Sequence, residues 1–261
     1  MFKRLLGTIM LLCGSACVWA EDAKPLRVLV GMHKPPYIDT ERGQGYELEL
    51  LRLVAQQMQR TVEFKHAPNQ RLLDLLKKGE GDIATLQSSA ASAVTDPTLV
   101  YGCSYIRYQN VAVTLHRNRL LIKQINDLSG LSIMAFQNAA RLLPLTYQKT
   151  IQNSPDYRET IEQRTQVEML QKNRVQVIVL DINIFHFYND LYPDAAPTDI
   201  HRLFAPTLYR TAFQDGALAH QFDEALSRVQ QSQAYNDLQL KYFKQLNEVS
   251  PPPCLSTAWL Y

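Results

Sequence analysis

Six histidines (His33, His66, His116, His186, His201 and His220) and four cysteines are the side chains from which metal or nucleophilic chemistry could be assembled. Their spacing argues against it. The chain has no His-Glu-x-x-His or Cys-x-x-Cys pair, so the usual zinc-ligand spacings are missing. No Gly-x-Ser-x-Gly elbow presents a serine nucleophile. Gly43-Gln44-Gly45 lacks the third glycine of a dinucleotide loop and follows a turn rather than a strand. The histidines therefore read as ordinary core or surface residues. No catalytic residue, metal or cofactor is expected, which leaves non-covalent recognition as the chemistry to look for.

The N-terminus bears on where that recognition happens. Lys3 and Arg4 precede a mostly apolar run over 5–12, Gly14-Ser15-Ala16 interrupts it, and Val18-Trp19-Ala20 offers a cleavage site. These features predict a secretory signal peptide over 1–20, cut after Ala20. Removing it takes away two basic residues and no acid, so the mature chain is neutral from an initial net charge of +2. With no basic cluster longer than Lys77-Lys78, nucleic acid is not an expected partner. Export also removes Cys13 and Cys17. Cys103 and Cys254 are then a candidate disulfide pinning the proline-rich tail, with two free thiols as the alternative.

The rest of the chain alternates strand and helix patterns. A branched-aliphatic strand over 26–30 leads to an amphipathic helix over 46–58, a strand over 61–65, a second helix over 70–78 and a strand from 82 to 86. This βαβαβ order implies a parallel sheet with helices on its faces. A second unit follows, with strands over 131–136 and 175–180 and helices from 138 and over 165–173. Two strand-like segments, 108–115 and 208–213, connect the units, and amphipathic helices close the chain. Such connectivity predicts two lobes with a hinge, and a ligand cleft between them.

The motifs that punctuate this order are Pro35-Pro36-Tyr37, Gly45-Tyr46-Glu47-Leu48-Glu49-Leu50, Lys77-Lys78-Gly79-Glu80-Gly81-Asp82 and Ile125-Asn126-Asp127-Leu128-Ser129-Gly130. They are followed by a strand ending at Asp181 and by Ala234-Tyr235 and Tyr242-Phe243 near the close. In that sequence and spacing, over about 24–246, the chain resembles the extracellular solute-binding proteins of family 3. The resemblance implies a type II periplasmic-binding-protein-like α/β fold, a Venus flytrap of two lobes on a two-strand hinge. Its expected partition is lobe 1 over 21–112 and 209–247, lobe 2 over 113–208, and a tail over 248–261. It further implies a periplasmic, monomeric receptor that closes over a small polar, amino-acid-like solute and presents it to the membrane permease of an ABC transporter.

A zwitterion needs an acid for its ammonium, a cation and amides for its carboxylate, and an aromatic wall against water. Carried over by position, the resemblance assigns the ammonium to Asp181, which could equally cap the helix that follows it. The wall falls to Tyr37, and the carboxylate to Gln87, Ser88 and Ser89. Asn138, in the second lobe, stands at a helix N-terminus that it can cap. The family's carboxylate-binding arginine is missing, and its place falls at about Val94. Arg71, Arg141 or Lys34 could supply that charge from another direction. Two alternatives stay open: a sensing module that engages a periplasmic sensor domain, and a dehydratase-like enzyme on the same fold.

Overall fold

The structure is a computed structural model and describes residues 24–89, 95–247 and 249–254. The expected signal peptide and Val94 lie outside the described residues. The elements run β1 (Leu26–Val30), α1 (Tyr46–Gln57), β2 (Val62–His66), α2 (Leu72–Lys77), β3 (Ile83–Ser88), β4 (Val100–Tyr108), β5 (Asn110–Leu115), β6 (Ile133–Phe136), α3 (Ala139–Leu142), α4 (Leu145–Thr150), β7 (Tyr157–Thr160), α5 (Gln163–Gln171), β8 (Val177–Asp181), α6 (Ile182–Asn189), β9 (Thr198–His201), β10 (Thr207–Phe213), α7 (Gly216–Gln230) and α8 (Gln233–Phe243).

They form two five-stranded sheets, in the orders β2-β1-β3-β10-β4 and β7-β6-β8-β5-β9. In the first sheet β1 pairs in parallel with β2 and β3, as the βαβαβ reading requires. In the second, β6 pairs in parallel with β7 and β8. Each lobe has its own sheet, so the two-lobe type II fold is present. β8 is buried along its whole length, the pattern of a strand covered on both faces.

The chain crosses between the sheets at Gln109 and again between His201 and Thr207. The strand read over 108–115 is therefore β5 preceded by Tyr108, the last residue of β4, and the rest of β4 was not read from the sequence. Tyr108 pairs with Thr207 in the first sheet, whereas Asn110 pairs with Asp181 in the second. The apolar alternation changes phase there, from Ile106 and Tyr108 to Val111, Val113 and Leu115, with the polar pair Gln109-Asn110 between them. β7 and β9, short and half-exposed edge strands, were likewise not read from the sequence.

Two of the motifs turn out to be a single feature. Tyr46 and Glu47 donate their backbone N–H groups to the carbonyls of Pro36 and Tyr37, at 2.9 and 3.0 Å. Gly45 makes this possible. It has φ +136°, and a Cβ there would lie 2.3 Å from the Tyr37 carbonyl oxygen, so only glycine admits the approach. The loop stitched in this way fixes Lys34 and Tyr37 against the start of α1.

Cys103 on β4 and Cys254 in the tail are joined in a disulfide, with Cα atoms 5.5 Å apart. Next to it the backbone N–H of Cys103 donates to both oxygens of the buried Asp223 on α7, each at 3.0 Å.

Candidate functional site

Asp181 ends β8 where the chain turns into α6, and the residue is only 3 % exposed. Oδ1 accepts from the backbone N–H groups of Asn183 and Ile184 at 2.9 and 3.2 Å, which is an N-cap. The same oxygen accepts the Tyr37 hydroxyl at 2.9 Å, and Oδ2 accepts the Gln109 N–H at 2.9 Å. Asn183 completes the contact by donating Nδ2 to the Tyr37 hydroxyl at 3.0 Å. Tyr37 belongs to the first lobe, Asp181 and Asn183 to the second, and Gln109 is the crossover residue. Capping and cross-lobe binding thus coincide in one carboxylate.

Aromatic rings surround this contact. Tyr37 stacks on Tyr108 with centroids 4.3 Å apart, and Tyr209 meets Tyr108 edge-on at 5.2 Å. Lys34, partly buried, holds its ammonium 4.6 Å from the Tyr108 ring centroid, within cation–π range. Below it Glu47 is fully buried and accepts the Tyr105 hydroxyl at 2.7 Å. Its other oxygen, Oε2, and the Tyr108 hydroxyl have no hydrogen-bond partner among the described residues.

Burial governs the charges. It pushes Asp181 up to about 6, against the hydrogen bonds that favour its charged form. It raises Glu47 and lowers Lys34, and in both cases the attraction between the opposite charges opposes the shift. Asp223, away from this cluster, is also raised to about 6 by burial.

Raised carboxyls mean that the folded chain keeps protons the unfolded chain has lost. Their contribution to stability is therefore full below about pH 4 and is lost as pH rises through about 6, at roughly 2–3 kcal/mol per buried carboxyl. Asp96, held at about 2 chiefly by the Thr98 hydroxyl, titrates below this window. Denaturant midpoints should thus fall from about pH 4.5 to about pH 6.5. Asp223→Asn should flatten the curve, and an unchanged slope in that variant would exclude Asp223 as a source.

The other expected site residues are placed less simply. Gln87 lies partly buried on β3 and spends its amide on the Thr85 carbonyl at 2.7 Å. Ser88 is its partly buried neighbour. Ser89 is tied to β10, its hydroxyl donating to the Leu208 carbonyl at 3.0 Å. Asn138 does not cap the helix after it: its φ of 65° is left-handed and its side chain makes no cap bond. Glu159 on β7 does so instead, accepting from the N–H groups of Asn138 and Ala140 at 2.6 and 2.8 Å. A left-handed residue turns its side chain away from the helix opening, which a carboxylate from the neighbouring strand then fills. Arg71 and Arg141 are exposed, and neither side chain forms a hydrogen bond or ion pair with a described residue.

Glu47, Tyr105, Tyr108, Gln109 and Asn183 were missed. Glu47 had a readable signal, because it shares the helical face of Leu51 and Val54, both buried. An acid in an apolar stripe is an anomaly worth following. For the others the sequence held no comparable sign.

The fold has many solved counterparts. The GluR0 ligand-binding core in complex with L-glutamate superposes with a TM-score of 0.69 at 17 % identity, covering 84 % of this chain and 98 % of the other. An ancestral arginine-binding protein bound to arginine gives 0.65 at 20 %, covering 85 % and 99 %. A histidine kinase sensor domain with similarity to periplasmic binding proteins gives 0.68 at 19 %, covering 88 % and 99 %. No curated protein matches the chain. The model of the bacterial extracellular solute-binding proteins, family 3, matches residues 26–245, and with two sheets meeting at a polar, aromatic junction the chain belongs to that family of binding proteins.

Proposed function

We propose that this protein is a periplasmic receptor that captures a small polar, amino-acid-like solute between its lobes and leaves it chemically unchanged. The observation that carries the reading is the Tyr37–Asp181 contact. It joins the lobes through a buried acid beside an aromatic wall, the pairing that an ammonium-bearing solute needs. Gln87, Ser88 and Ser89 at the end of β3 are proposed as polar contacts of the same solute. Arg71 and Arg141 are proposed to contribute at the rim on closure. Delivery to an ABC permease is the first reading of the partner. A sensory role is the second, favoured by the likeness to the kinase sensor domain over most of both chains.

The test is thermal denaturation against amino acids, polyamines and small organic acids, followed by solution scattering with any hit. A solute at about a hundred times its Kd adds about 2.7 kcal/mol of apparent stability. The expected result is a shift confined to one chemical class, together with a smaller radius of gyration. A panel with no shift, or turnover of a panel member, would overturn the proposal.

A further inference from the structure

The junction already contains a cation of the chain's own. Lys34 lies against the Tyr108 ring, and the charges of two buried acids, Glu47 and Asp181, both act on it. With both acids ionised, two of them against one ammonium give a net negative site, and tyrosine faces add to its preference for positive charge. Glu47 Oε2 and the Tyr108 hydroxyl are buried and unpartnered among the described residues, so the site has acceptors to spare. Asp181, whose two oxygens already accept four hydrogen bonds, acts on the site chiefly through its charge.

We infer that the Lys34 ammonium is a built-in occupant of the cleft's cation site, and that the solute is an organic ammonium ion that displaces it. The inference rests on the receptor reading and names its substrate class. It makes Lys34 a specificity residue acting by competition, in contrast to a lysine that grips a carboxylate. An amine fits better than a zwitterion for a second reason. The N–H groups of Asn138 and Ala140 at the opening of α3 are already bound by Glu159, and the basic side chains whose charge bears on Glu47 are Lys34 and, more weakly, His66. Displacing Lys34 exchanges one ammonium for another, so the charge of the site is unchanged. The freed side chain regains water and rotamer freedom.

The test uses the full chain and a matched pair of probes. Lys34→Ala removes the three methylenes beyond Cβ and the ammonium, so n-propylammonium has the missing shape and charge. Propionate has a similar shape and the opposite charge. Lys34→Ala is expected to bind n-propylammonium at least about tenfold more tightly than the wild type does, and propionate should bind neither protein. Equal amine affinity in both proteins would overturn the inference. So would propionate binding to the wild type that is lost in Lys34→Ala, a result that leaves the receptor reading standing. Conversely, amine binding to the variant with a silent wild-type panel would sustain the Lys34 assignment and sink the receptor reading.

A measurement on the unaltered protein covers a variant that does not fold. The Lys34 ε-methylene protons should resonate upfield under the Tyr108 ring and move to the free-lysine position as n-propylammonium is added. An unshifted resonance at the outset, or one the amine leaves in place, would overturn the inference.

Discussion

Asp181→Ala should destabilise the protein by about 3–5 kcal/mol and abolish solute binding, the largest effect expected of any single substitution at the lobe junction. The reason is the number of donors it would strand. Tyr37 Oη, Gln109 N, Asn183 N and Ile184 N all point at this carboxylate, and water reaches little of the residue at 3 % exposure. Loss of the cap alone is worth about 1 kcal/mol. The rest comes from unpaired buried donors and from the broken contact between lobes.

Asp181→Asn separates these causes. Its carbonyl oxygen can serve Tyr37, Asn183 and Ile184, but its amide then faces the Gln109 N–H, donor against donor. About half the alanine cost should remain, and Gln109 should exchange its amide proton faster. Denaturant midpoints at neutral pH, read with the exchange rate of Gln109, check both values. An alanine variant within about 1 kcal/mol of the wild type would show that the four bonds do not hold the junction.

The second large effect is expected at the disulfide. Cys103 and Cys254 are 151 residues apart in sequence, and in the chain-entropy model a loop of that size is worth about 5 kcal/mol. Measured values fall below this limit, so the Cys103→Ser, Cys254→Ser double variant should lose about 2–5 kcal/mol. The fold should nonetheless survive, because the cross-link ties a tail to the first lobe. The buried Val249, whose carbonyl accepts the Arg107 N–H at 2.9 Å, should then become protease-accessible along with its neighbours. Midpoints with and without a thiol reductant, plus limited proteolysis, check this. An unchanged midpoint would mean that the tail is held by packing alone.

The two effects should be nearly additive, since one lies at the lobe junction and the other beside α7.

Much of the architecture could be read from residue patterns. The mostly apolar runs at 26–30 and 175–180 announce buried strands, which the structure places at Leu26–Val30 and Val177–Asp181, the second parallel to β6 and antiparallel to β5. The apolar stripe of 46–58 and the cap at Asp181 mark helices by local chemistry. The order of elements is enough for two α/β lobes, because each crossover helix must pack back on its own sheet.

The candidate site was only partly open to the same reading. Tyr37 and Asp181 carried a positional signal, and the structure brings them to 2.9 Å across 144 residues of chain. What sequence could not give was which hydrogen-bonding capacity remained free. Asn138 looked like a cap, yet Glu159, a strand away, does the capping. The crossover at Gln109 coincides with a change of phase in the apolar alternation, but strand propensity does not say which sheet a residue joins. Lys34 and Glu47 are ordinary surface residue types whose burial follows from the loop that Gly45 lets close over α1. Local patterns determine elements, because they depend on neighbours a few residues away. The tertiary structure decides which donors, acceptors and charges are already spent on one another, because those partners are distant in the chain.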